Sequence, residues 1–252
     1  MKQARQRADQ LLCERGLAES LERARALVMA GAVLVNGQRV DKAGAMLAVD
    51  APIEVTERMP WVSRGAYKLL GALDHWSIDV TCRVCLDVGS STGGFTEVLL
   101  SLGAARVHSV DVGAGQLDWK LRNDPRVVVH EGLNARYLEP SHIGEPVQLM
   151  VCDVSFISVT LILPAVAPLL AEPREFVVLV KPQFEVAREQ VGRGGIIRDA
   201  ALHAWAVERA QHAAAILGFR TDVTESPVLG AEGNKEFLLH GTDSHSRHHL
   251  EA

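Results

Sequence analysis

The chain has few cysteines, no long apolar run and no overall excess of positive charge, and each shortage excludes something. Its 252 residues include four cysteines, Cys13, Cys82, Cys85 and Cys152. These do not make a disulfide framework, and Cys152 sits in an apolar run that reads as buried strand, so a reducing compartment is expected. Cys82-x-x-Cys85 lacks a second pair of ligands and runs into a strand, which argues against zinc and leaves no metal site in the reading. No apolar stretch reaches the roughly 18 residues that a membrane span needs. The opening MKQARQRADQ is basic but has no apolar segment behind it, so no signal peptide is read and a cytoplasmic location is expected. With 48% apolar and 23% charged residues, the chain is too hydrophobic to be disordered. Its length suits one ordinary domain plus a small one. No internal repeat or low-complexity segment is present.

The net charge of −5 hides an asymmetry. Residues 1–47 carry eight Lys or Arg against five Asp or Glu, a local +3 that leaves −8 for the remainder. A basic end on an acidic body points to attachment to phosphate, and a solvated helix face is the bland alternative. Within this end, residues 4–15 have helical apolar spacing that Gly16 can stop, and Ser20 is a good N-cap for a second helix. AVLVNGQRV then reads as a hairpin around Asn36-Gly37, and Pro52–Val55 as a further short strand. Arg5, Arg7, Arg23 and Arg25 are the candidates for gripping an RNA backbone. The expected division is a small α/β RNA-binding domain at 1–59, a linker at 60–63, a larger domain at 64–243 and a mobile polar tail at 244–252.

From Ala66 onward strands and helices alternate, which means a parallel sheet with helices on both faces. Helices are expected at 66–76, 94–101, 116–121, 160–170 and 200–217. Strands are expected at 84–88, 106–111, 127–130, 148–153 and 176–180. Two final strands at 219–225 and 236–240 are joined by a short connection, so they should be antiparallel. The segment VCLDVGSSTGGFTEVLL passes from a buried strand through glycines into a helix. Its spacing, D-x-G-x-x-x-G-G, is not the G-x-G-x-x-G of dinucleotide enzymes, and a glycine turn without ligand is the alternative. Asp111 ends the next strand 24 positions after Asp87, close to where such folds place a carboxylate on ribose hydroxyls. A nucleoside ligand without pyrophosphate fits both, and S-adenosylmethionine is one. The Asn/Asp-Pro-Pro-aromatic motif of enzymes that methylate base amino groups is missing, as is the Pro-Cys pair of base C5 methylation. Cys152 reads as a small core residue.

Lys68 at the front of the larger domain, Asp153 and Lys181 at the ends of the fourth and fifth strands, and Glu236 at the start of the last strand stand out as polar residues, and the two strand-end residues should share one rim with Asp87 and Asp111. With SRGAYKL, DVGSSTGGFTEVLL, CDVSFIS, VKPQFE and GNKEFLL in this order, residues 1–241 resemble the TlyA (hemolysin A) family of ribosomal RNA 2′-O-methyltransferases. The family's larger domain is similar to FtsJ-type enzymes, with a Rossmann-like fold. Its N-terminal module is like the RNA-binding domain of ribosomal small-subunit protein four. The resemblance implies a catalytic tetrad at Lys68, Asp153, Lys181 and Glu236. It implies S-adenosylmethionine contacts at Asp87, Gly89, Ser90, Thr92, Gly93, Phe95, Asp111 and Asn134. It implies a cytidine ribose of large-subunit rRNA as target, with a small-subunit cytidine in some members. Lys181 is the choice for the residue nearest the hydroxyl, as base or as steering donor, with Lys68 depressing its pKa by repulsion and Asp153 and Glu236 holding the two amines and limiting that depression. Arg64, Arg188, Arg193 and Arg198 are further candidates for the RNA backbone. Ribosomal subunits are the only partner implied, and a monomer is expected. A pore-forming toxin and a non-catalytic assembly factor are the rival readings. The sequence offers no membrane-active stretch for the first and keeps all four tetrad members against the second.

Overall fold

A computed structural model describes residues 5–29, 32–36, 38–40, 42–55, 61–230 and 233–243. The chain divides into two compact units, Met1–Pro60 and Trp61–Ala252.

The first unit opens with strand β1 (Arg5–Arg7), followed by helices α1 (Ala8–Glu14) and α2 (Leu21–Met29). The helix expected from residue 4 begins only at Ala8. The polar residues before it carry no apolar period, and they pair antiparallel with β4 (Met46–Ala48). Ser20 Oγ accepts from Arg23 N at 3.1 Å, the cap its residue type promised. Strands β2 (Val33–Val35) and β3 (Gln38–Arg39) pair antiparallel on either side of Asn36 and of Gly37, which lies outside the described residues, and β5 (Ile53–Val55) pairs on the other side of β2. Ala8, Leu12, Ala24, Val28 and Val33 lie at the centre of this unit's own core.

In the second unit the elements follow as α3 (Gly65–His75), β6 (Val84–Val88), α4 (Gly94–Ser101), β7 (Arg106–Asp111), α5 (Trp119–Arg122) and β8 (Val127–Glu131). Then come α6 (Pro140–Ile143), β9 (Leu149–Cys152), α7 (Leu163–Val166), β10 (Glu175–Val180), α8 (Pro182–Glu185), α9 (Ala200–Ile216), β11 (Phe219–Glu225) and β12 (Phe237–Asp243). Seven strands form one sheet in the order β11-β12-β10-β9-β6-β7-β8. Strands β6 to β10 run parallel, and β12 is antiparallel to both β10 and β11. The central strands are buried on both faces between two apolar clusters, which is why they read as continuous apolar runs. Cys152 is fully buried there, and burial pushes its thiol up out of the reactive range.

Two expected helices are shorter than their periodicity. Pro164 and Pro168 each remove a backbone donor, so 160–170 breaks into α7 flanked by two 3-10 turns. The 116–121 segment is helical only from Trp119, where the Asp118 side chain caps by accepting from Lys120 N. Of the segment read as a linker, Pro60 lies outside the described residues. Trp61 and Val62 pack on the second unit's core, and Val62 N donates to Glu97 Oε2 at 2.7 Å. The tail 244–252 also lies outside the described residues. Among the described residues, no helix is long and apolar enough to cross a membrane.

Candidate active site

The carboxyl ends of β6, β7, β9 and β10 deliver Asp87, Asp111, Asp153 and Lys181 to one edge of the sheet, as parallel strands must. Helix α3 adds Lys68, and the residue before β12 is Glu236. The structure brings the four polar residues singled out from the sequence together. Lys68 Nζ donates to Glu236 Oε2 at 2.6 Å and lies 3.6 Å from Asp153 Oδ2. Lys181 Nζ lies 2.5 Å from Asp153 Oδ1. It also donates to Ser155 Oγ at 3.0 Å. Lys68 and Lys181 are each 8% exposed and Glu236 2%, so these charges depend on one another. Asp153 stands between the two amines, and the direct repulsion expected between the lysines is offset by the carboxylate they share.

A cavity of about 300 Å³ opens on this cluster, lined by Lys68, Asp153 and Lys181 with Gly89, Ser90 and Thr92 of the glycine turn. Phe95, Arg64 and Ser63 also border it. A larger one of about 1310 Å³ shares Gly89, Ser91, Asp153 and Ser155 with it and extends past Asp111, Val112 and Asn134. The turn comes close to the next strand. At Gly89, with φ +82°, a Cβ would lie 2.5 Å from the Asp153 carbonyl oxygen, so only glycine lets β6 and β9 end side by side here. The Asp111 carboxylate is fixed by Ser91 N at 2.8 Å and Gly113 N at 2.7 Å. Each oxygen keeps a second acceptor position. The Asn134 side chain accepts from Arg136 N and caps a 3-10 turn at the cavity's border.

Two of the expected cofactor contacts are placed elsewhere. Asp87 is fully buried behind the turn and borders neither cavity. Its Oδ2 accepts from Thr96 Oγ1 at 2.7 Å, its Oδ1 has no hydrogen-bond partner among the described residues, and burial raises it to about 7. Through Thr96 it anchors α4 under the turn. Gly93 likewise borders neither cavity. Its φ is +100° and a Cβ would meet Leu121 Cδ1 at 2.3 Å, so its work is packing. Among the arginines, Arg64 and Arg188 border the cavities, while Arg193 and Arg198 lie exposed in the loop before α9.

Some residues at this rim escaped the sequence reading. Ser155 touches Lys181 yet is an ordinary serine in a loop, and its only signal was standing two positions past a strand-end aspartate. Gly230 admits the Glu236 carboxylate, since a Cβ there would lie 2.1 Å from Oε1. Phe156 is 91% exposed with φ +65° and borders the larger cavity, its ring centroid 5.2 Å from that of Phe184.

Residues 61–242 match the FtsJ-like methyltransferase family, and residues 6–53 match the S4 domain. A Mycobacterium tuberculosis protein named 16S/23S rRNA (cytidine-2′-O)-methyltransferase TlyA is 49% identical over 93% of this chain and 89% of its own. The chain belongs to the TlyA family of FtsJ-like methyltransferases. Within that family, Hemolysin A of Brachyspira hyodysenteriae is 40% identical over 93% of this chain and 98% of its own. A solved structure of a provisionally named hemolysin from Streptococcus thermophilus superposes with a TM-score of 0.74 at 42% identity. It covers 97% of this chain and 90% of that one.

Proposed function

We propose that this TlyA-family chain transfers a methyl group from S-adenosylmethionine to the 2′-hydroxyl of a cytidine ribose in ribosomal RNA. The target lies in the large subunit, with a small-subunit cytidine as a further substrate. The observation that carries the reading is the convergence of Lys68, Asp153, Lys181 and Glu236 beside the glycine turn. A non-catalytic assembly factor would place no demand on four charged groups at this rim. In this reading the protein acts as a monomer, in the cytoplasm where ribosomal subunits are found.

The residues present fit the cofactor. The turn at Gly89 allows close approach, Asp111 offers acceptors for ribose hydroxyls, and the two adjoining cavities exceed a nucleoside in volume. Ser90, Thr92, Phe95 and Asn134 would border it, with Asp87 holding the turn from behind. When bound, S-adenosylmethionine supplies a methyl already activated by its sulfonium. The chain's task is then to align the hydroxyl oxygen and to take one proton. Lys181 suits both. Its Nζ lies 2.5 Å from Asp153 Oδ1 and donates to Ser155 Oγ, contacts that fix it at the rim to steer the hydroxyl or take its proton. Glu236 holds Lys68, and Lys68 in turn lies beside Asp153. Phe156, an exposed ring on a left-handed backbone, offers a stacking surface for the base of an unpaired nucleotide.

The test is mass mapping of ribose methylation on purified ribosomal subunits incubated with protein and labelled cofactor. Lys181→Ala should abolish transfer, by at least ~10²-fold, and leave cofactor binding by calorimetry unchanged. Transfer near the wild-type rate would remove Lys181 from the reacting site.

A further inference from the structure

The N-terminal unit holds a charged cluster of its own. Asp9, on α1, is 1% exposed. Its Oδ1 accepts from Arg7 Nε at 3.0 Å and Gln10 N at 3.0 Å. Its Oδ2 accepts from Arg7 Nη2 at 2.7 Å and from Arg25 Nε at 3.1 Å. Arg7 ends β1 and Arg25 lies on α2, so one buried carboxylate gathers guanidinium groups from separate elements. Both arginines stay open to solvent, with side chains 45% and 56% exposed. Among the described residues, Arg7 gives two of its five N–H donors to Asp9 and Arg25 one, which leaves three and four. Gly44 closes on the same group, because a Cβ there would lie 3.1 Å from Arg7 Nη1.

A structural pin between α1 and α2 needs one arginine and gains from covering it. Here two like charges share one carboxylate, with their outer faces exposed and a net charge of +1. The residual positive charge and the outward donors suit a second anion. We propose that Asp9 is a positioning residue that sets Arg7 and Arg25 side by side as a two-fork seat for phosphodiester oxygens of RNA. The proposal rests on the reading of this chain as an enzyme of ribosomal RNA and specifies how its small unit takes hold. Guanidinium forks match phosphate geometry in a way a lysine point charge does not. Fixing them on folding spares side-chain entropy on binding. The Arg7 guanidinium holds the Asp9 carboxyl down at about 2, so the seat stays assembled across the working pH range.

The experiment uses the full chain, deproteinised large-subunit rRNA as probe, and a salt series. Arg7→Lys combined with Arg25→Lys keeps every charge and removes the forks, and it should weaken binding ~10-fold. Asp9→Asn removes a negative charge, so attraction alone predicts tighter binding, whereas the seat predicts binding weaker by ~5-fold or more. Alanine at Arg7 or Arg25 should lower the salt slope by about 1. Thermal melts run alongside, because a mere pin would shift melting and leave affinity and slope alone. The proposal is overturned if the double lysine variant binds with wild-type affinity, or if folded Asp9→Asn binds tighter. Should Asp9→Asn not fold, the lysine variants decide, since both sites are half-exposed. If wild-type chain binds this RNA but methylates no subunit, the enzymatic reading fails and the seat stands. If the double variant both binds and methylates like wild type, the seat fails and the enzymatic reading stands.

Discussion

A carboxyl group shut off from solvent, with one oxygen unpartnered among the described residues, resists ionisation, and Asp87 is such a group. Burial lifts it from 3.8 to about 7, and the nearby Asp153 and Asp111 add to the lift. The folded chain therefore keeps a proton that the unfolded chain releases over this interval. The sign follows from linkage. The contribution to stability is fully present below pH 3.8 and is lost as pH rises through about 7. Asp87→Asn keeps a carbonyl acceptor for Thr96 and cannot ionise. Between pH 4 and pH 8, wild type should lose stability relative to this variant, by on the order of 4 kcal/mol at most. Urea unfolding at a series of pH values reads this directly, and a gap flat with pH would mean that Asp87 ionises freely in the folded chain. Asp9 shows the opposite case. Its value is depressed to about 2 by Arg7, so its contribution is present above 3.8 and lost as pH falls toward 2.

Elements position these residues, and glycines let them approach. At Gly230 an added Cβ would lie 2.1 Å from Glu236 Oε1 and 2.5 Å from its Cδ. Gly230→Ala should therefore push the carboxylate off Lys68, breaking a contact of 2.6 Å between groups that are both buried. Displacements of this size cost roughly 10²-fold in rate, and a broken buried pair about 3–5 kcal/mol. Single-turnover transfer and thermal melting should both fall, whereas cofactor affinity should not. A variant with wild-type rate would show that Glu236 has room to spare. The same glycine carried no sequence signal, because its constraint comes from a side chain six positions away across a loop. By contrast, Asp153 and Lys181 were legible because parallel strands end at one rim and each follows an apolar run. The antiparallel pairing of β2 with β3 was legible from turn chemistry. The β1–β4 pairing was not, since three-residue strands of mixed polarity carry too short a period to read. Helix 160–170 misled because apolar periodicity continues through Pro164 and Pro168 while the hydrogen bonding does not.

At the scale of the whole molecule, the two units keep separate cores. Ala8 through Val55 supply one, and the two clusters around the seven-stranded sheet draw only on residues from Trp61 onward. Trp61 and Val62 pack on the second core, so a truncation should begin at Trp61 and not beyond it. A chain of residues 61–252 keeps every member of the tetrad and every residue bordering the two cavities. It should fold and bind S-adenosylmethionine as the full chain does, with calorimetry as the measure. Its net charge is −6, however, and it lacks the basic end with Arg7 and Arg25. RNA phosphates are anionic, so attraction to ribosomal subunits must come chiefly from residues 1–47. The truncated chain should therefore lose methylation of intact subunits at physiological salt. Part of that loss should return at low salt, where the local Arg64 and Arg188 still reach phosphate. Equal methylation by the two chains at 0.15 M salt would show that the N-terminal unit has some other task. Loss of cofactor binding in the truncated chain would show instead that the second unit is not self-sufficient.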